Sequence, residues 1–314
     1  MSSRWVLPFG TAGDGEWEVV VDDRIEGWTH TGLYAGRLAA GETRGFATGE
    51  REVVVVPLSG SLVVRAVDGE GRAQEARLAG RESVFAGPTD VAYVPPGADL
   101  ELEATLPCWV ALAVARTGRP TAAPTPGFRH VPVEEVPVEL RGAGQTSREV
   151  RNFGVPGVLD AQSLIACEVI TPAGNWSSYP PHKHDEDRPG VESELEEIYF
   201  FDVAVEGGDG ATLGMSGSEP DPVAYQRVYG TDDRPIDVFA EVRTGDVVLV
   251  PHGWHGPAMA PPGYDLYYLN VMAGPGAERA WLICDDPAHT WVRDTWAQQP
   301  VDPRLPFGRR ADET

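Results

Sequence analysis

The chain has 314 residues, and 48 acidic against 25 basic side chains leave a formal net charge of −23. That charge excludes nucleic acid and anionic membrane surfaces as partners, because both would repel it. The 36 glycines and 28 prolines exclude coiled coils and favour short strands joined by turns, while an apolar fraction of 42% excludes global disorder.

In chain order, the N-terminal segment lacks an apolar leader core, and no stretch approaches the ~20 apolar residues of a membrane span. The three cysteines, Cys108, Cys167 and Cys284, are scattered and form no CxxC pair. A reduced, cytoplasmic protein is expected. The β-branched run 53–56, Pro57, the turn Ser59-Gly60-Ser61 and residues 62–64 read as a hairpin, with the next turn at Asp68-Gly69. Val91–Val94 is a strand closed by Pro95-Pro96-Gly97. Residues 100–104 alternate apolar and acidic like a half-buried strand, and 109–114 form an apolar one. The Pro/Thr/Ala-rich residues 117–126 read as a linker. A second strand series follows at 164–170, 198–201, Val247–Val250 and 266–271. Helical patterns are scarce; the acidic stretch 192–197 has room for one turn.

The two series repeat faintly. In the first, Gly41, Glu52 and Gly60 bracket the run 53–56, and Val94 leads into Pro95-Pro96-Gly97. In the second, Gly174 leads to Glu197 before the strand 198–201, and Val250 leads into Pro251-His252-Gly253. An all-β fold of two duplicated barrels explains this better than one large sandwich.

Four of the seven histidines fall in two short motifs. One is Pro181-His182-Lys183-His184-Asp185, where residues i and i+2 of a strand aim both imidazoles the same way. The other is Val250-Pro251-His252-Gly253-Trp254-His255. Between them, Glu192-Ser193-Glu194-Leu195-Glu196-Glu197 leads into an apolar strand. Three histidines and a carboxylate suit a divalent transition metal with open positions.

This order resembles the cupin superfamily, in which two such motifs converge inside a small jelly-roll barrel. The resemblance implies the ligands His182, His184, Glu197 and His255. The twelve residues between His184 and Glu197 exceed the usual cupin spacing. Residues 185–196 are expected to leave the barrel as a loop, and Glu192, Glu194 or Glu196 stays open as the ligand instead. His252 reads as a rim residue. In the first half, Ala47 and Gly49 stand where the histidines would be, and Ala98-Asp99 follows the later Pro-x-Gly, so no metal is expected there. The implied architecture is a bicupin with few short helices: a degenerate barrel at 1–116, a linker and crossover at 117–149, and a metal-binding barrel with a C-terminal tail at 150–314.

A narrower resemblance rests on Gly174-Asn175-Trp176-Ser177-Ser178-Tyr179-Pro180-Pro181-His182, Gln226-Arg227-Val228-Tyr229, Tyr267-Tyr268-Leu269-Asn270-Val271-Met272 and Asp286-Pro287-Ala288-His289-Thr290-Trp291. These strings resemble the 5-deoxy-glucuronate isomerase family of inositol catabolism, related to the uronate isomerases of pectin breakdown. The resemblance implies an aldose–ketose isomerisation of 5-deoxy-D-glucuronate to 5-dehydro-2-deoxy-D-gluconate, by an enediol or a hydride route. It implies a divalent metal, with zinc or manganese favoured and iron or nickel open. Glu197, His255, Arg227 and Tyr268 are the expected catalytic residues. The substrate is a small anion, so a cation is needed in the pocket: Lys183, Arg227 or Arg243, with Lys183 disfavoured because it faces away from its neighbouring histidines. Tyr179, Tyr229, Trp254 and Tyr268 are candidate lining residues, and Asn270 a candidate hydrogen-bonding one. A homodimer is reasonable. An Fe(II) cupin dioxygenase and a non-catalytic sugar-binding cupin are the competing readings.

Overall fold

The computed structural model describes residues 3–117, 126–208 and 220–308. Most of the expected linker, 118–125, lies outside the described residues. The architecture is all-β, with a single four-residue α-helix, Val292–Thr295, among the described residues. Two barrels stand side by side. A nine-stranded sheet curls into the first, and a seven-stranded and a six-stranded sheet enclose the second.

Three apolar clusters explain why so many strands are continuously hydrophobic. Val53 and Val55 point into the first barrel, while Val54 and Val56 point towards the second. Tyr199, Phe201 and Val203 fill the second barrel, while Ile198 and Phe200 face the first. Val248 and Val250 against Val247 and Leu249 repeat the pattern. A strand whose two faces are both buried reads as an unbroken apolar run. At the seam, the Trp109 and Phe200 rings meet edge to face, with centroids 5.4 Å apart.

The expected hairpin at 53–64 is instead one 17-residue strand, Arg51–Val67. Its first part pairs with Val91–Val94 and Cys108–Arg116, and its second with Ala73–Arg81 and Asp99–Ala104. The strand therefore turns the barrel corner. Ser59-Gly60-Ser61 is a bulge at that corner, marked by register shifts on both sides. Gly60 has φ +75°, and a Cβ there would lie 2.1 Å from the Pro107 carbonyl oxygen, so only glycine fits. The expected turn at Asp68 is present: Gly71 N–H donates to the Asp68 carbonyl at 2.9 Å. The other expected strands form: Cys108–Arg116, Glu196–Val205 and Tyr264–Ala273 are longer than read, Ile165–Thr171 is shifted by one residue, and Val91–Val94 and Val247–Val250 are as read.

The barrels exchange parts. Val6–Leu7, at the start of the chain, pairs with Val247–Val250 of the second barrel, and Arg129–Val131, which precedes the second barrel, pairs with Val91–Val94 of the first. Two carboxylates are exchanged as well. Glu52 of the first barrel accepts the N–H groups of Gln162, Ser163 and Leu164, where the strand Ile165–Thr171 begins. Glu196 of the second accepts those of Thr29, His30 and Thr31, where Thr31–Leu38 begins. Each barrel thus anchors the entry of a strand of the other.

Candidate metal centre

The short strand His182–Lys183 lies beside Trp254–Met259, with His182 and His255 directly paired. Residues 185–196 do leave the barrel, but as structure: Asp185–Arg188 and Glu192–Glu194 form a small hairpin of their own. The acidic stretch 192–197 is strand and contains no helical turn. The hairpin closes on itself, so Leu195 N–H donates to the His184 carbonyl at 2.8 Å, and the long sequence spacing vanishes in space. Alternation along Glu196–Val205 then sends Glu197 inward and Glu196 outward to its clamp on the first barrel.

His184, Glu197 and His255 converge, with one donor atom from each lying within 4.8 Å of the others. All three are buried, at 1%, 2% and 0% exposure. Glu197 Oε2 is 3.0 Å from the Nε2 of both imidazoles. The His182 ring is half-buried, its centroid 4.5 Å from that of His255. Burial pushes the Glu197 carboxyl up, but His255 and His184 outweigh it and hold it down at about 2. Burial, then His255 and His184, push His182 well below the usual histidine range.

The donor set fits a metal ion. In all three histidines Nδ1 faces a backbone carbonyl: Pro180 for His182 at 3.4 Å, Leu195 for His184 at 3.1 Å, and Gly253 for His255 at 3.2 Å. An Nδ1–H donated to a carbonyl leaves the Nε2 lone pair available, as in histidines that bind metals. The His255 Nε2 is buried without a hydrogen bond although Glu197 is within reach. His184 Nε2 lies at hydrogen-bond distance from Glu197 Oε2, so a proton or a metal ion between these groups offsets the repulsion that bare lone pairs and a carboxylate would suffer.

The other residues expected from the sequence are dispersed. Tyr268 is inside the barrel, where its hydroxyl donates to Ser177 Oγ at 2.9 Å and lies 3.0 Å from Ser178 Oγ. Ser178 Oγ is in turn 3.2 Å from the Tyr199 hydroxyl, and Asn270 is buried with its amide on the Ile198 carbonyl. Arg227 is not brought to the centre. It lies on the outward face of Ala224–Tyr229, paired with Asp237, because Gln226 and Val228 take the inward positions. Lys183 is engaged outside by Asp185 at 2.6 Å, Glu192 at 2.8 Å and Glu186 at 3.1 Å. Arg243 pairs with Asp221 and Glu241. Glu192 accepts from Lys183 and Arg188, and Glu194 lies in the hairpin. His252 is half-buried on the turn before Trp254. The Tyr229 hydroxyl donates to Asp286 at 2.5 Å, Tyr179 packs against Trp176, and Trp254 carries Lys183 over its ring.

Sequence reasoning missed two features. Gln226 is fully buried with neither amide atom bonded. Ser177 and Ser178 join Thr171, Tyr199 and Tyr268 in a continuous hydroxyl chain. Strand alternation signals an inward Gln226, but only knowledge of which face is interior makes that readable.

No helix among the described residues is long and apolar enough to cross a membrane. The profile of the KduI/IolB family matches residues 5–292. A 5-deoxy-glucuronate isomerase from Geobacillus kaustophilus is 40% identical over 93% of this chain and 96% of its own length. One from Bacillus subtilis strain 168 is 38% identical over 81% and 84%. Among solved structures, an IolB-like protein from Salmonella typhimurium superposes with a TM-score of 0.78 and 32% identity, covering 92% of this chain and 99% of that one. A Lactobacillus farciminis oxalate decarboxylase gives 0.61 at 14% identity over 91% and 89%, a likeness of fold. With a family profile spanning most of its length and relatives this similar, the chain belongs to the KduI/IolB family and is an isomerase.

Proposed function

We propose that the protein is a metal-dependent aldose–ketose isomerase that converts 5-deoxy-D-glucuronate to 5-dehydro-2-deoxy-D-gluconate in myo-inositol catabolism. The observation that carries this reading is the convergence of His184, Glu197 and His255, with His182 beside them, in a chain 40% identical to a relative named for that reaction. These four residues are assigned as ligands of a divalent ion, with zinc or manganese suited to redox-neutral chemistry. Such an ion supplies Lewis-acid polarisation of adjacent carbonyl and hydroxyl oxygens.

The chain's own groups do the rest. Both imidazole contacts of Glu197 use Oε2, which leaves Oε1 without an imidazole contact; the isomerisation itself moves the C2 hydrogen to C1 and the O2 proton to O1. Burial pushes the Tyr268 phenol up to about 12, so it stays a hydrogen-bond donor at neutral pH. With Ser177 and Ser178 it offers hydroxyls to a sugar. Burial of the histidines excludes bulk water and strengthens each polar contact.

Loss of the aldehyde signal, followed by NMR with purified protein and 5-deoxy-glucuronate, tests the reading. Conversion is expected in the metal-replete protein and is abolished by chelator; His255→Ala loses both bound metal and turnover. No conversion by metal-replete protein rejects the assignment, and oxygen uptake in its place would favour dioxygenase chemistry.

A further inference from the structure

We propose that Arg148 binds the carboxylate of the substrate. This deepens the isomerase reading and rests on it, because a uronate held by its aldehyde end at the histidines presents an anion at the opposite end of the molecule. In the strand Arg148–Gly154, Val150 belongs to the interior of the second barrel, while Phe153 faces the first. Alternation puts Arg148 on the Val150 side, at the strand's start.

Its guanidinium is bonded on one nitrogen only, among the hydrogen bonds of the described residues. Arg148 is 5% exposed, and the contacts of its guanidinium are the carbonyls of Thr146 at 3.0 Å and Tyr179 at 3.4 Å, both through Nη1, and the Trp296 ring at 5.5 Å. It pairs with no carboxylate among the described residues. The contrast with other buried arginines is sharp: Arg81 pairs with Glu168 and Arg151 with Glu149. Arg279, which also lacks an acid, donates through Nε, Nη1 and Nη2 to three carbonyls at 2.6–2.7 Å. In a chain with 48 acidic residues, a buried guanidinium with neither an acid nor a carbonyl on each nitrogen is fitted to take an external anion. Burial and the neighbouring Arg141 push it down to about 10, a strain that a bound carboxylate relieves.

Its position matches the order of the substrate's polar groups. The Glu149–Ile170 pairing sets Arg148 beside Thr171. From Thr171 the hydroxyl chain runs through Ser177 at 2.7 Å, Tyr268, Ser178 and Tyr199. The Tyr199 ring lies 6.1 Å from that of His255. Cation, hydroxyls and imidazoles thus follow the order of carboxylate, hydroxyls and aldehyde in an open-chain uronate.

The test compares wild type, Arg148→Met and Arg148→Lys on 5-deoxy-glucuronate and on 5-deoxyglucose, which lacks the carboxylate. Arg148→Met should raise KM for the uronate about tenfold or more, with kcat little changed and KM for 5-deoxyglucose unaltered; Arg148→Lys should recover part of the loss. Calorimetric titration with the C1-reduced uronate, which keeps the carboxylate but cannot isomerise, should show binding lost in Arg148→Met and retained in Arg148→Lys. Unchanged uronate KM and binding in folded Arg148→Met overturns the inference, as does an equal loss on both substrates. Wild type that binds the reduced uronate through Arg148 but converts nothing overturns the isomerase reading instead.

Discussion

Asp202 shows how one buried group sets a pH response. It lies on the outward face of Glu196–Val205, 3% exposed, with the Thr244 hydroxyl donating to it at 2.7 Å and no salt bridge to it among the described residues. Burial raises its carboxyl to about 6. Between the usual aspartate value near 4 and about 6, the folded protein holds a proton that the unfolded chain has lost, so this group's contribution to stability falls as pH rises through that window. Asp202→Asn should therefore raise the unfolding free energy at pH 8 by on the order of 1–3 kcal/mol and leave it nearly unchanged at pH 4. Denaturant titrations at the two pH values check this; an equal effect at both would show that the carboxyl titrates normally. Residues of this kind were the least legible from the sequence. The histidines and Glu197 announce themselves by motif, but the cations the sequence nominates are Lys183, Arg227 and Arg243, and Arg148 is not among them. A string does not say which side chain alternation turns inward, and with apolar residues on both faces the strands gave no answer.

At the scale of elements, the hairpin 185–194 hangs on the one lysine of the chain. Lys183 bonds both Asp185 and Glu192, which are buried; of these two, Arg188 reaches only Glu192 and Arg234 only Asp185, and both arginines are exposed, so they replace the lysine poorly. Lys183→Met should cost about 2–4 kcal/mol and open the hairpin to protease. Lysine and Arg188 hold the Glu192 carboxyl below its usual value against burial, so this stability is present above about pH 4.5 and lost below it. The deficit of Lys183→Met should narrow accordingly in acid, as thermal melts from pH 7 to pH 3.5 would show. A deficit constant with pH would mean that the lysine acts through packing. The strands themselves were legible to within a few residues because β-branched runs and Pro/Gly stops mark them. The corner at Gly60 was not, since a bulge and a turn use the same residues and differ only in what pairs across them.

For the whole molecule, exchange of strands and carboxylates makes the two barrels one cooperative unit. Residues 1–116 hold both Val6–Leu7, which completes a sheet of the second barrel, and Glu52, which satisfies three of its N–H groups. A chain lacking residues 1–116 should fail to fold, seen as loss of strand circular dichroism and of a compact elution volume. Glu52→Gln in the full chain should lower stability by about 2–3 kcal/mol while keeping a single unfolding transition. A folded, monomeric second barrel on its own would refute this interdependence. The duplication was legible in the repeated Gly, Glu and Pro-x-Gly positions, and so was the absence of histidine at the motif positions of the first half. The exchange was not, because pairing between distant segments leaves no periodic trace.

That exchange changes what it means for a barrel to be degenerate. Glu52 is 0% exposed and bonds Tyr93 in its own barrel as well as the backbone of the other. Selection acting on the chemistry of one half therefore reaches into the other half through its anchors. The barrel without the motif histidines is free to drift on its outer surface, but not along its seam. Inherited variants that inactivate this isomerase should cluster there as well as around the histidines, and many will lie in the half that lacks the histidine motifs.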